Sequence, residues 1–93
     1  MKQERAQDVA FVIEPDGRIH DLRRQGTLPT SRELTRTLGG PWEVIDLENR
    51  QGLAMCVAAY EDESLEYNNQ ASKLVKRPVE GTVVVLAKRL LPC

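Results

Sequence analysis

A single imidazole, two cysteines and no surplus of either charge are what this 93-residue chain offers toward chemistry. His20 is the only histidine and has no neighbour at the spacings that build zinc sites. Thirteen Lys and Arg stand against fourteen Asp and Glu, a formal charge of −1. That balance argues against a general phosphate-backbone binder, which needs a marked basic excess. It argues equally against an acidic mimic of DNA. Long apolar runs are also missing. The longest, residues 53–60 and 82–87, fall far short of the roughly 20 residues a membrane helix requires. The opening Met1-Lys2-Gln3-Glu4-Arg5-Ala6-Gln7-Asp8 is polar and has no apolar stretch behind it, so no secretory signal is expected. Cys56 sits in an apolar run and is expected to pack as a small hydrophobe, while Cys93 is the last residue. The two do not make a disulfide framework, which points to a reduced, cytoplasmic setting.

What is present reads as one small domain spanning residues 1–93, with 1–7 and 88–93 as flexible or irregular tails. A chain of this length buries roughly 65% of its unfolded surface, enough for one modest core. Val9-Ala10-Phe11-Val12-Ile13 has strand composition and runs into Glu14-Pro15-Asp16-Gly17, a turn sequence. Arg18-Ile19-His20-Asp21-Leu22-Arg23 then reads as the exposed partner of a hairpin. Thr30-Ser31-Arg32-Glu33 fits a capping box, and Leu34 and Leu38 share one helix face. Gly39-Gly40 supplies a left-handed exit and Pro41 forbids continuation, so the helix is short and must lie across a sheet.

Trp42-Glu43-Val44-Ile45-Asp46-Leu47 resumes strand character, and Glu48-Asn49-Arg50-Gln51-Gly52 is a turn cluster. Leu53-Ala54-Met55-Cys56-Val57-Ala58-Ala59-Tyr60 is nearly all apolar, as in a strand covered on both faces, with a buried helix as the alternative. A second short helix is expected from Asn68 or Asn69 as N-cap to Arg77, its cations toward the C-terminal end and Pro78 after it. Thr82-Val83-Val84-Val85-Leu86-Ala87 is the strongest strand. The order is β-β-α-β-β-α-β, an α+β fold with a mostly antiparallel five-stranded sheet.

Motifs for catalysis are sparse. Glu61-Asp62-Glu63 lacks the alternating ligands and turn glycine of a calcium loop. Ser31, Ser64 and Ser72 lie at helix starts or loops, where hydroxyls serve backbone groups. Gly39-Gly40 follows a helix and precedes a strand, the wrong side for a phosphate cradle. No catalytic residue, metal site or cofactor is expected. His20 with a nearby carboxylate is the one route to an enzyme.

Charge is segregated along the chain. Residues 43–66 hold seven acids (Glu43, Asp46, Glu48, Glu61, Asp62, Glu63 and Glu66) and one base, Arg50. Residues 67–93 hold five bases (Lys73, Lys76, Arg77, Lys88 and Arg89) and one acid, Glu80. Such asymmetry suits steering of a charged partner, or two copies joined head to tail, as well as two ordinary solvated faces. Trp42, the only Trp, is a hot-spot candidate or a core anchor. Asn68 and Asn69 cap a helix or present amides to a polar ligand.

Gly39-Gly40-Pro41-Trp42-Glu43-Val44, the apolar strand into Glu61-Asp62-Glu63, Tyr67-Asn68-Asn69-Gln70-Ala71 and Gly81-Thr82-Val83-Val84-Val85 together resemble one pattern. It is that of the family called domain of unknown function 3846, found in phages, plasmids and actinobacterial mobile elements. The matching positions are Gly39, Gly40, Glu43, Glu61, Asn68, Ala71 and Gly81, and Tyr60 departs where an Asn often precedes the acid. The resemblance implies an accessory protein of a mobile element in a bacterial cytoplasm, and no activity.

The sequence thus leads to a non-enzymatic interaction module and homo-oligomer, binding a host protein or a small ligand such as a nucleotide signal, with counter-defence as its job. The expected surface is Trp42, Glu43, Asn68 and Asn69, rimmed by Lys73 and Arg77. The alternative is a nucleic-acid regulator using Arg23, Arg24, Lys73, Lys76 and Arg77.

Overall fold

The computed structural model describes residues 10–22, 30–47 and 52–91. The expected strand residue Val9, the basic pair Arg23 and Arg24, the turn residues Glu48, Asn49, Arg50 and Gln51, and Cys93 lie outside the described residues. Strands β1 (Ala10–Ile13), β2 (Ile19–Asp21), β3 (Trp42–Asp46), β4 (Leu53–Ala58) and β5 (Val83–Ala87) form one sheet in the order β2-β1-β5-β4-β3. Every pairing among them is antiparallel. Two short helices, α1 (Ser31–Leu38) and α2 (Asn69–Val75), complete the α+β fold.

Side-chain alternation assigns the two helices to opposite faces of the sheet. Val12, Val84, Leu86 and Cys56 face α1, whose Leu34 and Leu38 fill the space above them. Ile13, Val83, Val85, Met55 and Val57 face the other way, toward Ala71 of α2 and Val79. The centre of the sheet is therefore apolar on both sides, which is why β5 lacks polar alternation and is buried along its length. The run from Leu53 to Ala58 is the strand beside it, and the buried-helix alternative is excluded.

Local signals act where expected. Gly17 takes φ 96° at the β1–β2 turn. Thr30 Oγ1 accepts from the Glu33 amide at 3.1 Å and starts α1. Gly39 ends α1 at φ 84°. A Cβ on Gly39 would stand 2.7 Å from the Tyr60 hydroxyl, which donates to Leu38 O at 2.8 Å. Glycine at this position thus serves both the turn and the seat of Tyr60. The C-terminal stretch differs from an irregular tail: Lys88–Leu90 form a 3-10 turn that buries Leu90 in the α1-side core.

Asn68 ties three segments together. Its side chain has no exposed surface. Oδ1 accepts from the Ala71 amide at 3.0 Å and caps α2, while Nδ2 donates to Ile13 O at 3.0 Å and Gly81 O at 2.9 Å. Ser72 repeats the device nearby, its hydroxyl accepting from Val79 N at 2.9 Å and donating to Val79 O at 3.3 Å. Replacing Asn68 by Ala removes the cap and withdraws donors from two carbonyls. Urea denaturation should show a stability loss of about 3 kcal/mol. Asn68→Asp keeps the cap but turns a carboxylate toward both carbonyl oxygens, so at neutral pH it should be no more stable than Asn68→Ala.

Candidate functional site

One set of charged groups gathers beside the start of β3. Pro41 delivers the chain into β3, and period-two alternation sends Trp42 toward α1 and Glu43 to the opposite face. On that opposite side Lys76 closes α2 in the left-handed conformation at φ 60°, redirecting the chain through Arg77 and Pro78. Glu80 then pairs with Tyr67 in a short antiparallel bridge. The result is a cleft of about 190 Å³ lined by Glu43, Val57, Tyr60, Leu65, Arg77 and Glu80, among others. Glu80 also borders a shallower hollow with Glu61, Asp62 and Glu63. Five carboxylates and one guanidinium thus share one end of the molecule.

Of the residues expected to form a surface, Glu43 and Arg77 meet in this cleft. Trp42 is half-buried on the α1 face, its Nε1 donating to Thr35 Oγ1 at 3.1 Å, so it anchors α1 to β3. Asn68 is sealed inside the fold with its amide fully engaged, which corrects its expected place on a binding surface. Asn69 and Lys73 are exposed on α2 and do not line the cleft. Glu80, Tyr60 and Leu65 were not among the expected surface residues. For Glu80 the sequence does hold a signal, since it is the lone acid in a basic stretch.

Electrostatics sharpen the picture. Among the described residues, no cation forms an ion pair with Glu43, Glu61, Glu63 or Glu80. Asp62 accepts from the Ser64 amide at 2.9 Å, which holds its carboxyl below the usual aspartate range and keeps it charged. The basic groups Lys73, Lys76 and Arg77 gather at the exposed C-terminal end of α2. His20 does have a nearby carboxylate, its Nε2 lying 2.8 Å from Glu14 Oε2. Both belong to an exposed ionic chain in which Arg18 bridges Glu14 and Asp16, on the hairpin and outside the lining of the cleft. Among the described residues, no group of three or more His, Cys, Asp and Glu side chains is arranged to hold a metal ion. No helix of the described residues is long and apolar enough to cross a membrane.

Compared with known proteins, the chain matches no family model, no curated protein and no solved structure.

Cys56 has no exposed surface, and desolvation pushes its thiol up to about 11 from 9.0. At pH 8 only roughly one molecule in a thousand carries the thiolate. In a Cys93→Ser background, a thiol-specific chromogenic reagent should leave the native protein unmodified and react once it is denatured. Because the folded value lies above the unfolded one, the neutral thiol's contribution to stability is intact below pH 9 and is lost as pH rises toward 11.

Proposed function

We propose that this protein is a non-enzymatic interaction module that docks a protein partner through the carboxylate-rich end of its sheet. The observation that carries the reading is the position of Glu80, shared by the cleft and the neighbouring hollow. It joins Glu43 and Arg77 of the cleft to Glu61, Asp62 and Glu63 of the hollow. Holding unpaired carboxylates together costs stability through mutual repulsion, and a basic partner surface offsets that cost on docking. The cleft supplies apolar walls from Val57, Leu65 and Pro78 for the stem of an inserted Lys or Arg. The same carboxylates repel phosphate, which favours a protein over a nucleotide signal as the occupant.

From the sequence resemblance alone, since no family model matches the chain, we further propose a setting: a phage or mobile-element accessory protein in a bacterial cytoplasm, acting on a host protein, with neutralisation of host defence as the task. A second reading, contact with nucleic acid, draws on the exposed Lys73, Lys76 and Arg77. Arg23 and Arg24, which would extend that patch, lie outside the described residues.

Affinity capture from a bacterial extract with wild-type bait and with a Glu43→Lys/Glu80→Lys bait tests the docking reading. A protein retained by the wild type, eluted by salt and lost from the double variant is the expected result. If no protein distinguishes the two baits, the carboxylate-rich end is not the docking site. Fluorescence anisotropy against short duplex and single-stranded DNA separates the second reading, which requires binding at low salt that falls steeply as salt is added.

A further inference from the structure

Among the described residues the sheet has two open edges, and they are not equivalent. In β3 the flanking bonds fix which backbone groups face inward: Ala59 N donates to Pro41 O at 2.9 Å, and Leu47 N donates to Leu53 O at 3.3 Å. Hydrogen-bonded pairs alternate along an antiparallel ladder. Pro41, Glu43, Ile45 and Leu47 therefore face β4, and Trp42, Val44 and Asp46 turn their N–H and C=O groups outward. Val44, at the centre, is 45% exposed. No proline or lysine interrupts the strand. On β2, the bonds from Leu22 N to Ala10 O and from Glu14 N to Arg18 O leave only Ile19 and Asp21 facing outward, within an ionic stretch.

We propose that β3 pairs with β3 of a second copy of this chain, antiparallel and centred on Val44, to give a two-fold dimer with one continuous ten-stranded sheet. The reading goes beyond the docking module and rests on a different observation, the outward backbone groups of β3. The sequence Trp42-Glu43-Val44-Ile45-Asp46 is self-complementary in this register. Val44 meets Val44 of the second copy, Trp42 meets Asp46, and Glu43 meets Ile45. All three outward residues fall into hydrogen-bonded pairs, and the exposed Val44 side chains cover each other. No acid stands opposite an acid. Asp46 is moreover neutralised by Lys88 Nζ at 2.7 Å. Sliding by two residues toward the N-terminus would set Glu43 against Glu43, a like-charge pair that opposes the slip. Sliding the other way leaves Trp42 unpaired within the strand. The arrangement is head to head, unlike the head-to-tail joining that charge segregation along the chain suggests, and it closes with two copies instead of growing into a filament.

Sedimentation equilibrium at about 100 µM should give twice the 10.5 kDa monomer mass, with Val44→Lys weakening association about 10-fold or more while the far-UV spectrum stays unchanged. A disulfide pair fixes the register even if Val44→Lys fails to fold. Opposed Cα atoms in a hydrogen-bonded pair lie about 5.5 Å apart, within reach of a disulfide. In a Cys93→Ser background, Val44→Cys should therefore cross-link readily under mild oxidation. Asp46→Cys should not, since its two copies lie about 14 Å apart along the paired strands. A wild-type protein that stays monomeric, a dimer indifferent to Val44→Lys in a folded variant, or equal cross-linking at 44 and 46 overturns the proposal.

Discussion

One buried amide holds this fold in register. Asn68 reaches Ile13 at the end of β1, Gly81 just before β5 and Ala71 in the first turn of α2. These segments are up to 55 positions apart in sequence. An apolar side chain would fill the same volume without fixing where β1 ends relative to α2. The amide fixes it because a misplaced neighbour would leave a buried donor or acceptor unanswered. Gly81 is part of the same constraint. At φ 86° it packs against Leu65, and its amide donates to Glu66 O at 2.7 Å. The loop that carries Glu80 into the cleft is thus pinned on either side of it.

The elements were legible because each rests on local chemistry. Thr30 with Glu33, Gly39 before Pro41, and an unbroken β-branched run at Val83, Val84 and Val85 are short-range signals, and the structure uses each of them. Strand order was not legible. Nothing local in Val83 to Ala87 states that this strand lies between β1 and β4, because that follows from how two helices divide two faces between them. The 3-10 turn at Lys88–Leu90 was hidden for a similar reason. Leu90 is buried by tertiary contact and not by any period in the tail.

The candidate site was half legible. Charge segregation marked Glu43 and the 61–63 acids, and the structure gathers them at one end with Arg77. Joining Trp42 with Glu43 in one surface failed on strand geometry, since adjacent residues of a strand point to opposite faces. Choosing between the two roles of Asn68 required its burial. A cap on a surface helix leaves one end of the amide free, whereas a cap seated under a sheet end spends both. Several of the positions that the sequence pattern singled out, Gly39, Gly40, Asn68, Ala71 and Gly81, have packing or turn roles here. Glu43 and Glu61, the two charged positions of the pattern, are both exposed.

The sheet's centre is also its latecomer. β5 follows the other four strands of the described residues, yet β1 and β4 reach each other only through it. During translation the hairpin of β1 and β2 and the pair β3–β4 must therefore wait as separate fragments until residues 83–87 clear the ribosome, because neither fragment can bury both faces alone. Nascent chains stay unconsolidated until β5 has emerged, and that interval is when chaperones have most to guard.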